Sequence, residues 1–314
     1  MYKINVLVVT YCQESVIGRT LESILCQKEW GLNNIVICDD CSTDGTWKVL
    51  QEYVQRYPDI IKAYRNETNL GIYGNTQRVF SLRGKADLYT DLAGDDALVD
   101  GWFKEIQQYL NNNNIILHDI AATICSDYKI LKPNGTGFVS RVNRLVRKDV
   151  DLVSLKSRSI LTVRSTMVTK STIDKYPPII LDRGLSISES MADMRPFLYS
   201  DKFFYVPYVA SIYYSRIGVS KKMNNDSFYK DKFDEILDFY DWEKKYYRLN
   251  AKALNYIDYS ISRCTFHIEP TWKHFKEMTK LYIKAFDRYT WYDTRFMLEM
   301  LNWIRMAKLL LIKK

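Results

Sequence analysis

The chain has 314 residues, which is enough for one large α/β domain or for a domain with an appendage. Its hydrophobic content of 47% is ordinary for a globular protein, and no apolar run approaches the ~18 residues that a membrane-spanning helix needs. The formal net charge of +8 fits anionic substrates, membrane surfaces or nucleic acid and does not choose among them.

Strand-like and helix-like segments alternate over the first hundred residues. Buried strands read as continuous apolar runs, and helices show apolar residues at a spacing of three and four. The alternation predicts an α/β fold whose central sheet is mostly parallel, with helices on both faces. The predicted elements in chain order are a strand at 4–11, a helix at 17–27, a strand at 34–38, a helix at 46–56, a strand at 60–65, a helix at 75–81, a strand at 87–92 and a helix at 99–110.

The second part of the chain is less regular. We expect strands at 121–126 and 202–214 and a turn at 132–135. The basic stretch 140–170 shows no clear helix or strand pattern. From Ser227 onward the pattern becomes helical, with aromatic stripes among charged residues. The predicted helices are 228–248, 251–262, 271–288 and 295–313. The change predicts a domain at 1–222 and a C-terminal α-helical region at 223–314.

The N-terminus enters a strand pattern directly, without the pattern of a secretory signal peptide, so we expect an intracellular protein. The six cysteines are scattered and are expected to be reduced. Under that expectation the glycosylation sequons at Asn66, Asn134 and Asn225 are chance matches.

Several common sites are excluded by their missing motifs. The sequence contains neither phosphate-cradling loop, G-x-x-x-x-G-K-[ST] or G-x-G-x-x-G, and neither G-x-S-x-G nor H-E-x-x-H. The pair Cys38 and Cys41 has C-x-x-C spacing, but two aspartates fill the gap and Cys38 completes an apolar strand, so a coincidental pair is favoured over a redox or zinc site. Two of the three histidines, His267 and His274, could share a helix face, although a surface position suits them better than a metal site.

Carboxylates cluster where two of the predicted strands end. Asp39 and Asp40 close the second strand, and Asp95 and Asp96 follow the fourth. A turn with a helix cap would explain Asp44, but adjacent carboxylates at the tip of a buried strand repel one another unless a cation or donor groups neutralise them. Mg²⁺ and Mn²⁺ prefer one or two carboxylates together with substrate phosphates. The pattern therefore predicts an enzyme that holds a metal-bound nucleotide between two strand ends.

These motifs carry a family resemblance. Residues 4 to 110 resemble the nucleotide-binding half of a glycosyltransferase family 2 enzyme with the GT-A fold, a Rossmann-like fold. The family's first strand, its Thr-Tyr-Asn and its helix ending in Ser-Leu-x-x-Gln resemble residues 8–12 and 21–27. Its Val-Asp-Asp-Gly-Ser-Thr-Asp-Gly-Thr signature resembles residues 38–46, its Asn-x-Gly segment resembles residues 69–75, and its D-x-D metal motif resembles the cluster that ends at Asp95 and Asp96.

The resemblance implies roles for these residues. Asp39 or Asp40 would bind the uracil and ribose of a nucleotide-sugar donor, and Asp96, with Asp95 beside it, would ligate a Mn²⁺ or Mg²⁺ ion on the diphosphate. Residues 1–110 would form the nucleotide-sugar half of the GT-A domain, and residues 111–222 the half with the acceptor and the catalytic base. The implied donor-binding set is Thr10, Tyr11, Glu14, Asp39, Asp40, Asn69, Gly71, Asn75, Asp95 and Arg216.

The chain departs from the family pattern in two places near the donor. Cys12 replaces the usual Asn, and Ala93 stands where the metal motif has its first Asp. The second departure leaves Asp95 and Asp96 as the candidates for the metal, because Asp91 lies one strand residue too early.

The catalytic base is expected between Ile187 and Pro196, where the family has a Glu-Asp pair before a helix. Inverting transfer needs a carboxylate that takes the proton from the acceptor hydroxyl. Glu189 matches the first position of the pair, Ser190 replaces the Asp, and Asp193 follows one helical turn later. Glu189 and Asp193 therefore both remain candidates.

Two further segments have open interpretations. Arg216, in a stretch that resembles the family's Tyr-Arg closing segment, would pair with the diphosphate or would be a surface residue. The C-terminal aromatics either pack the helices on one another or, with the apolar block and flanking lysines at 306–314, contact an anionic membrane surface. The aromatics concerned are Tyr282, Phe286, Trp291 and Trp303.

The leading hypothesis is an inverting, metal-dependent glycosyltransferase, hexosyl- or N-acetylhexosaminyl-, that uses a UDP-sugar and a saccharide or lipid-linked acceptor in surface polysaccharide biosynthesis. It would work in the cytoplasm, at the inner face of the cell membrane if the C-terminal helices contact it, and without nucleic acid. The alternatives are a non-catalytic GT-A-like binding or assembly subunit, a sugar nucleotidyltransferase, which normally has a Gly-rich first loop, and a nucleic-acid binder, which the acidic strand ends argue against.

Overall fold

The computed structural model describes residues 1–140, 164–181, 185–215 and 233–286, together with 304 and 308. These residues fall into two compact units. The first unit contains the described residues up to 215, and the second contains those from 233 onward.

The first unit is built on one sheet. Its described strands are β1 (Ile4–Thr10), β2 (Leu32–Asp39), β3 (Ile61–Arg65), β4 (Leu88–Ala93), β5 (Ala97–Leu98), β6 (Ala122–Leu131), β7 (Gly137–Ser140), β8 (Thr166–Thr169) and β9 (Lys202–Tyr214). They lie in the order β3-β2-β1-β4-β8-β6-β9-β5, and β7 pairs with β6. The first four strands are mutually parallel, as the alternating pattern predicts.

The second half of the sheet mixes directions. β6 runs parallel to β9, whereas β8 is antiparallel to both β4 and β6, and β5 is antiparallel to β9. The sequence does not reveal β5, β7 or β8, because these strands have only two to four residues and show no clear alternation. The sheet is therefore mostly parallel, with short antiparallel strands in its second half.

Helices cover both faces of this sheet. The described helices of the first unit are α1 (Ile17–Leu25), α2 (Thr46–Arg56), α3 (Gly71–Ser81), α4 (Trp102–Asn112), α5 (Lys170–Ile173) and α6 (Leu185–Leu198). Ile4, Val6 and Val8 of β1 pack with residues of α1, α2 and α4 on one face, and Leu7 packs with residues of α3 and α5 on the other. This alternation follows from the two-residue period of a strand and confirms the predicted layers.

Two helix starts differ from the prediction. α3 begins at Gly71 instead of Asn75, because Gly71 takes a left-handed φ of +73° that opens the helix directly after the preceding loop. α4 begins at Trp102 instead of Val99, since Ala97 and Leu98 pair with β9 and Gly101, at φ +81°, then turns the chain.

The second unit contains three described helices, α7 (Phe233–Tyr246), α8 (Ala251–Ile268) and α9 (Trp272–Ala285). Side chains of Asn250 and Thr271 cap the N-termini of α8 and α9 by accepting backbone hydrogen bonds. Tyr259, Phe266 and Met278 form a buried cluster between these two helices, and Tyr282 packs against it. Within the described part of the chain, no helix is both long enough and apolar enough to cross a membrane.

Candidate active site

The acidic strand ends meet on either side of β1. The backbone N–H of Asp40 donates to the carbonyl of Thr10 (2.9 Å), and the N–H of Gly94 donates to the carbonyl of Val9 (2.9 Å). β1 lies between β2 and β4, and all three are parallel, so their carboxyl ends face the same edge of the sheet. Both predicted carboxylate groups are thus brought to one edge, where α/β folds bind ligands.

The two aspartates that end β2 have different partners. Asp39 is fully buried, and its carboxylate accepts hydrogen bonds from the backbone N–H and the hydroxyl of Ser42 and lies 3.4 Å from the Arg65 guanidinium. Asp40 is also buried, and its Oδ1 accepts hydrogen bonds from Asn66 Nδ2 and from the backbone N–H of Leu70, both at 2.8 Å. Asp39 therefore shapes its own loop, and Asp40 ties β2 to the start of α3.

The residues around the start of α3 support this edge. Asn75 is buried, and its amide bridges the carbonyl of Cys38 (2.9 Å) and the amide of Asn66 (3.0 Å). Asn69 is exposed, and its side chain accepts a hydrogen bond from the N–H of Gly71 (2.9 Å). Of the predicted donor-binding residues in this segment, Asn75 holds the fold together and Asn69 faces solvent.

The loop after β1 packs against the loop after β2. Thr10 hydrogen-bonds Gln13 (2.7 Å), and the Glu14 carboxylate accepts the backbone N–H of Gly45 (3.0 Å). Tyr11 is exposed at the same rim. Cys12 is exposed as well, at a left-handed φ of 51°, and a hydrogen bond with the Thr43 hydroxyl lowers the pKa of its thiol.

A dense set of contacts fixes the turn that carries Asp95 and Asp96. The Thr20 hydroxyl of α1 reaches the carbonyls of Gly94 (2.8 Å) and Asp96 (2.6 Å). The Arg19 guanidinium donates to the Asp95 carbonyl (2.5 Å) and lies 3.7 Å from the ring centroid of Tyr214. The backbone N–H of Tyr214 in turn donates to Asp96 Oδ1 (3.1 Å).

The Asp95 and Asp96 carboxyls are crowded, and the described cations near them, Arg19 and Arg164, act on them only at a distance. Burial, with the neighbouring Asp95 charge, raises the pKa of Asp96 to about 7, and burial also raises the pKa of Asp95. Among the described residues, no ion pair within 4.0 Å involves either carboxylate.

This donor set fits a hard divalent ion. The described residues contain no group of three or more Asp, Glu, His or Cys side chains that could enclose a metal, so a cation here would take its remaining ligands from phosphate or water. Mg²⁺ and Mn²⁺ bind in that manner, through one or two carboxylates and the oxygens of a substrate. Asp95 and Asp96 can therefore share a metal with a bound diphosphate.

The candidates for the catalytic base lie on α6. Asp193 is exposed, and it lines a small cavity together with Asp91 and Arg195. The backbone of Glu189 belongs to the same helix, but its side chain lies outside the described part of the structure, as does the whole of Arg216.

Sequence reasoning missed several residues of this edge. Ser42, Thr20 and Arg19 organise the two acidic loops, and Arg164 is an exposed cation that acts electrostatically on Asp96 and lies over the ring of Tyr213 (4.0 Å). The helical stripe of α1 marks Thr20 as facing the sheet, but nothing local shows that its hydroxyl binds carbonyls more than seventy residues away.

The alternative metal motifs play structural parts. Cys38 is buried and all six cysteines are free thiols. Cys41 has a left-handed φ of 60°, and its thiol donates to the carbonyl of Glu67 (3.5 Å). His274 lies near the start of α9, and its Nδ1 contacts the carbonyl of Glu269 (2.9 Å).

The comparisons with known proteins agree with this geometry. Residues 5–158 match the family model described as glycosyl transferase family 2. The EpsE protein of Bacillus subtilis is 34% identical over 96 residues, which are 30% of this chain and 33% of that protein. Poly(ribitol-phosphate) beta-N-acetylglucosaminyltransferase TarS of Staphylococcus aureus is 24% identical over 208 residues, 64% of this chain and 34% of TarS. The chain thus spans about a third of the length of these relatives.

Solved structures share the fold. TarS residues 1–349 in complex with UDP superpose with a TM-score of 0.61 at 17% identity, covering 89% of this chain and 80% of that one. The complex of TarS 1–349 with UDP-GlcNAc has a TM-score of 0.56 at 14% identity and covers 91% and 82% of the two chains. The family model thus identifies residues 5–158, about half of the chain, as a glycosyl transferase family 2 domain, and the solved TarS structures share the fold.

Proposed function

We propose that the protein is an inverting glycosyltransferase that binds a nucleotide diphosphate sugar, in the first instance a UDP-sugar, through Asp40, Asp95, Asp96 and a divalent metal ion. One observation carries the proposal: Asp40 and the Gly94 turn are hydrogen-bonded to opposite sides of the end of β1, which sets a buried carboxylate beside two crowded ones. The match of residues 5–158 to the family model and the UDP bound by the structurally similar TarS support the donor class.

Different residues are proposed to bind different parts of the donor. Asp40 is proposed to contact the uridine, because the described hydrogen bonds of its carboxylate are all accepted by Oδ1, while Asp39 keeps the loop closed through Ser42 and Arg65. Asp95 and Asp96 would hold Mn²⁺ or Mg²⁺ against the diphosphate. That ion, when bound, supplies positive charge for the leaving group. Arg164 and Arg216 are proposed as further phosphate contacts.

The reaction proposed is a single displacement. The acceptor hydroxyl oxygen forms a bond to the anomeric carbon while the bond from that carbon to the diphosphate oxygen breaks, and the configuration inverts. The hydroxyl proton passes to a carboxylate on α6, either Asp193 or Glu189. The proposed reaction has no covalent enzyme intermediate. Most of the rate enhancement would therefore come from alignment of the acceptor hydroxyl and from the fixed charges around the diphosphate.

The acceptor class is also a proposal. The name of TarS specifies a poly(ribitol-phosphate) acceptor and an N-acetylglucosaminyl group, which makes that pair the first donor and acceptor to assay. A saccharide or lipid-linked acceptor of surface polysaccharide biosynthesis, used at the cytoplasmic face of the membrane, is the broader class that we propose.

Calorimetry tests the donor and the metal together. UDP is titrated into the wild type with Mn²⁺ and again with EDTA, and GDP serves as the nucleotide control. We expect binding of UDP that requires Mn²⁺ and that weakens at least ~10-fold in Asp96→Asn, because the substitution removes a ligand charge. The matched control is Asp100→Asn, an exposed carboxyl four residues further along. A folded wild type that binds neither nucleotide would instead indicate a non-catalytic subunit.

A further inference from the structure

Side chains of α1 hold the turn that carries the two proposed metal ligands. The buried hydroxyl of Thr20 donates to the carbonyls of Gly94 (2.8 Å) and Asp96 (2.6 Å). One helical turn later, the hydroxyl oxygen of Ser23 accepts the backbone N–H of Leu98 (3.0 Å). These bonds join residues more than seventy positions apart in the chain, so the place of the turn depends on how α1 packs.

Arg19 lies next to Thr20 on the exposed side of α1 and connects the same turn to β9. Its guanidinium donates to the carbonyl of Asp95 (2.5 Å) and stacks on Tyr214, the last residue of β9, at 3.7 Å from the ring centroid. A guanidinium is planar, so it can lie flat on an aromatic ring and still donate hydrogen bonds from its edge. One side chain therefore links a helix, the turn and the end of a strand.

The end of β9 in turn contacts one of the proposed metal ligands. The backbone N–H of Tyr214 donates to Oδ1 of Asp96 (3.1 Å), and no hydrogen bond between described residues is accepted by Oδ2. A hydrogen bond to one oxygen of a carboxylate fixes the rotation of the group and leaves the second oxygen for an ion. Tyr214 thus orients Asp96 through its backbone, while its ring is held by Arg19.

Arg19 is placed to support the carboxylates and does not occupy them. In the described part of the chain, no ion pair within 4.0 Å joins Arg19 to Asp95 or Asp96. A guanidinium bound to these oxygens would compete with a metal ion for them. Donation to a carbonyl instead holds the backbone of the turn and leaves the carboxylates open.

We propose that Arg19 and Tyr214 are positioning residues for the metal site. Arg19 holds the Asp95 carbonyl and the Tyr214 ring together, and the backbone of Tyr214 holds Asp96 with one carboxylate oxygen left for the ion. The inference rests on the proposed glycosyltransferase function and deepens it. Neither residue contacts the ion or the donor in this arrangement, so both act through the two aspartates.

The test measures how much Mn²⁺ the whole protein needs to bind UDP. Calorimetric titrations of UDP at a series of Mn²⁺ concentrations give the concentration that supports half-maximal binding. This concentration should rise about 10-fold in Arg19→Ala and in Tyr214→Ala, as is typical when an outer-shell partner of a metal ligand is lost. At saturating Mn²⁺ the affinity for UDP should return to that of the wild type. Alanine suits an exposed helix position, so Arg19→Ala should unfold at the same temperature as the wild type.

Matched variants separate positioning from charge and from general stability. Tyr214→Phe keeps the ring and the backbone N–H and should behave as the wild type does. Arg19→Lys keeps the charge but not the planar group, so it should restore little of the loss. Arg56→Ala removes an exposed arginine that lies 5.0 Å from the Tyr53 ring at the end of α2, away from the turn, and should have no effect on the Mn²⁺ requirement.

A double variant shows whether the two residues act together. Arg19→Ala combined with Tyr214→Ala should lose no more than the larger single loss, because both substitutions break the same connection. Losses that multiply, full recovery in Arg19→Lys, an unchanged Mn²⁺ requirement in Arg19→Ala, or weak UDP binding that persists at saturating Mn²⁺ would each overturn the proposal. A wild type that binds no UDP, or binds it equally well with EDTA, would instead remove the proposed metal-dependent function on which the inference rests.

Discussion

At the scale of single residues, the candidate site contains a cysteine whose thiol can report on nucleotide binding. Cys12 stands where the family has an Asn, its side chain is exposed, and the hydrogen bond with Thr43 lowers the pKa of the thiol below its ordinary value. A lower pKa means a larger thiolate fraction at neutral pH, and the thiolate is the form that alkylating reagents attack.

We predict that nucleotide protects Cys12 from alkylation. The rate of reaction with iodoacetamide should rise with pH to a midpoint below 9, and UDP with Mn²⁺ at ten times its dissociation constant should lower it about tenfold, since about nine-tenths of the protein is then occupied. Peptide mass spectrometry follows the reaction, with exposed Cys26 as the internal control. Equal rates with and without nucleotide would place the nucleotide elsewhere.

The individual roles of the acidic residues illustrate what a sequence can reveal. Two carboxylates at a strand end predict a ligand site, because such a cluster is costly without a counter-charge. Which one is structural depends on partners that lie far along the chain: Arg65 contacts Asp39, in addition to the neighbouring Ser42, and Asn66 donates a hydrogen bond to Asp40. Those contacts follow from the tertiary fold, so the sequence left both aspartates as equal candidates.

At the scale of elements, close packing between the end of β1 and the turn after β4 holds the site together. A Cβ atom added to Gly94 would lie 2.9 Å from both Cβ and Oγ1 of Thr10 and closer still to the amide oxygen of Gln13. Thr10 belongs to the strand itself and has little freedom to move. Glycine is therefore needed at position 94 because a side chain has no room there, whereas its backbone φ is one that other residues also adopt.

Gly94→Ala is therefore expected to reduce both stability and nucleotide binding. Overpacking of this kind typically costs about 1–3 kcal/mol, and the displaced turn carries Asp95 and Asp96. The control is Gly18→Ala in α1, where the added Cβ would meet only the Tyr53 side chain, its hydroxyl oxygen at 3.5 Å and a ring carbon at 3.9 Å, so stability should stay constant or rise by up to ~1 kcal/mol. Thermal unfolding and UDP titration measure both effects, and equal behaviour of the two variants would contradict the packing argument.

Long elements with a clear period could be predicted, whereas short ones could not. α2 and β9 have the predicted bounds, because an amphipathic helical stripe runs the length of α2 and a strand alternation runs the length of β9. β8 has four residues in a basic stretch, and its pairing with β4 and β6 supplies its stability. Tertiary pairing of that kind leaves no local signal in the sequence.

At the scale of the whole molecule, the chain combines a sheet unit that contains the candidate site with a helical unit that contains many aromatics. Tyr282 packs against the cluster between α8 and α9, in agreement with the packing interpretation of that residue. Trp291 and Trp303, and the apolar block with its lysines at 306–314 apart from Lys308, lie outside the described residues. The membrane interpretation of that block is consequently a prediction from the sequence.

The prediction concerns binding to lipid vesicles. The wild type should sediment with phosphatidylglycerol vesicles and much less with phosphatidylcholine vesicles. Replacing Lys308, Lys313 and Lys314 by Gln should weaken binding to the anionic vesicles about 100-fold, at about 1 kcal/mol for each lysine. The matched control replaces the exposed lysines Lys28, Lys62 and Lys85 of the sheet unit. Equal losses in both variants would indicate a general charge effect and exclude a specific C-terminal contact.

The bonds made by Asn66 have a consequence for producing the protein. Asn66 begins the sequon Asn66-Glu67-Thr68, yet it is 4% exposed, and its Nδ2 donates to Asp40 (2.8 Å) and Asn75 (3.0 Å). Oligosaccharide transfer would use that nitrogen, so the folded chain cannot accept a glycan there, and a chain modified before folding could not close the edge of the sheet. A host that glycosylates nascent secreted chains would thus convert a correct sequence into a misfolded product, and Asn66 should be kept out of reach of that machinery by cytoplasmic expression.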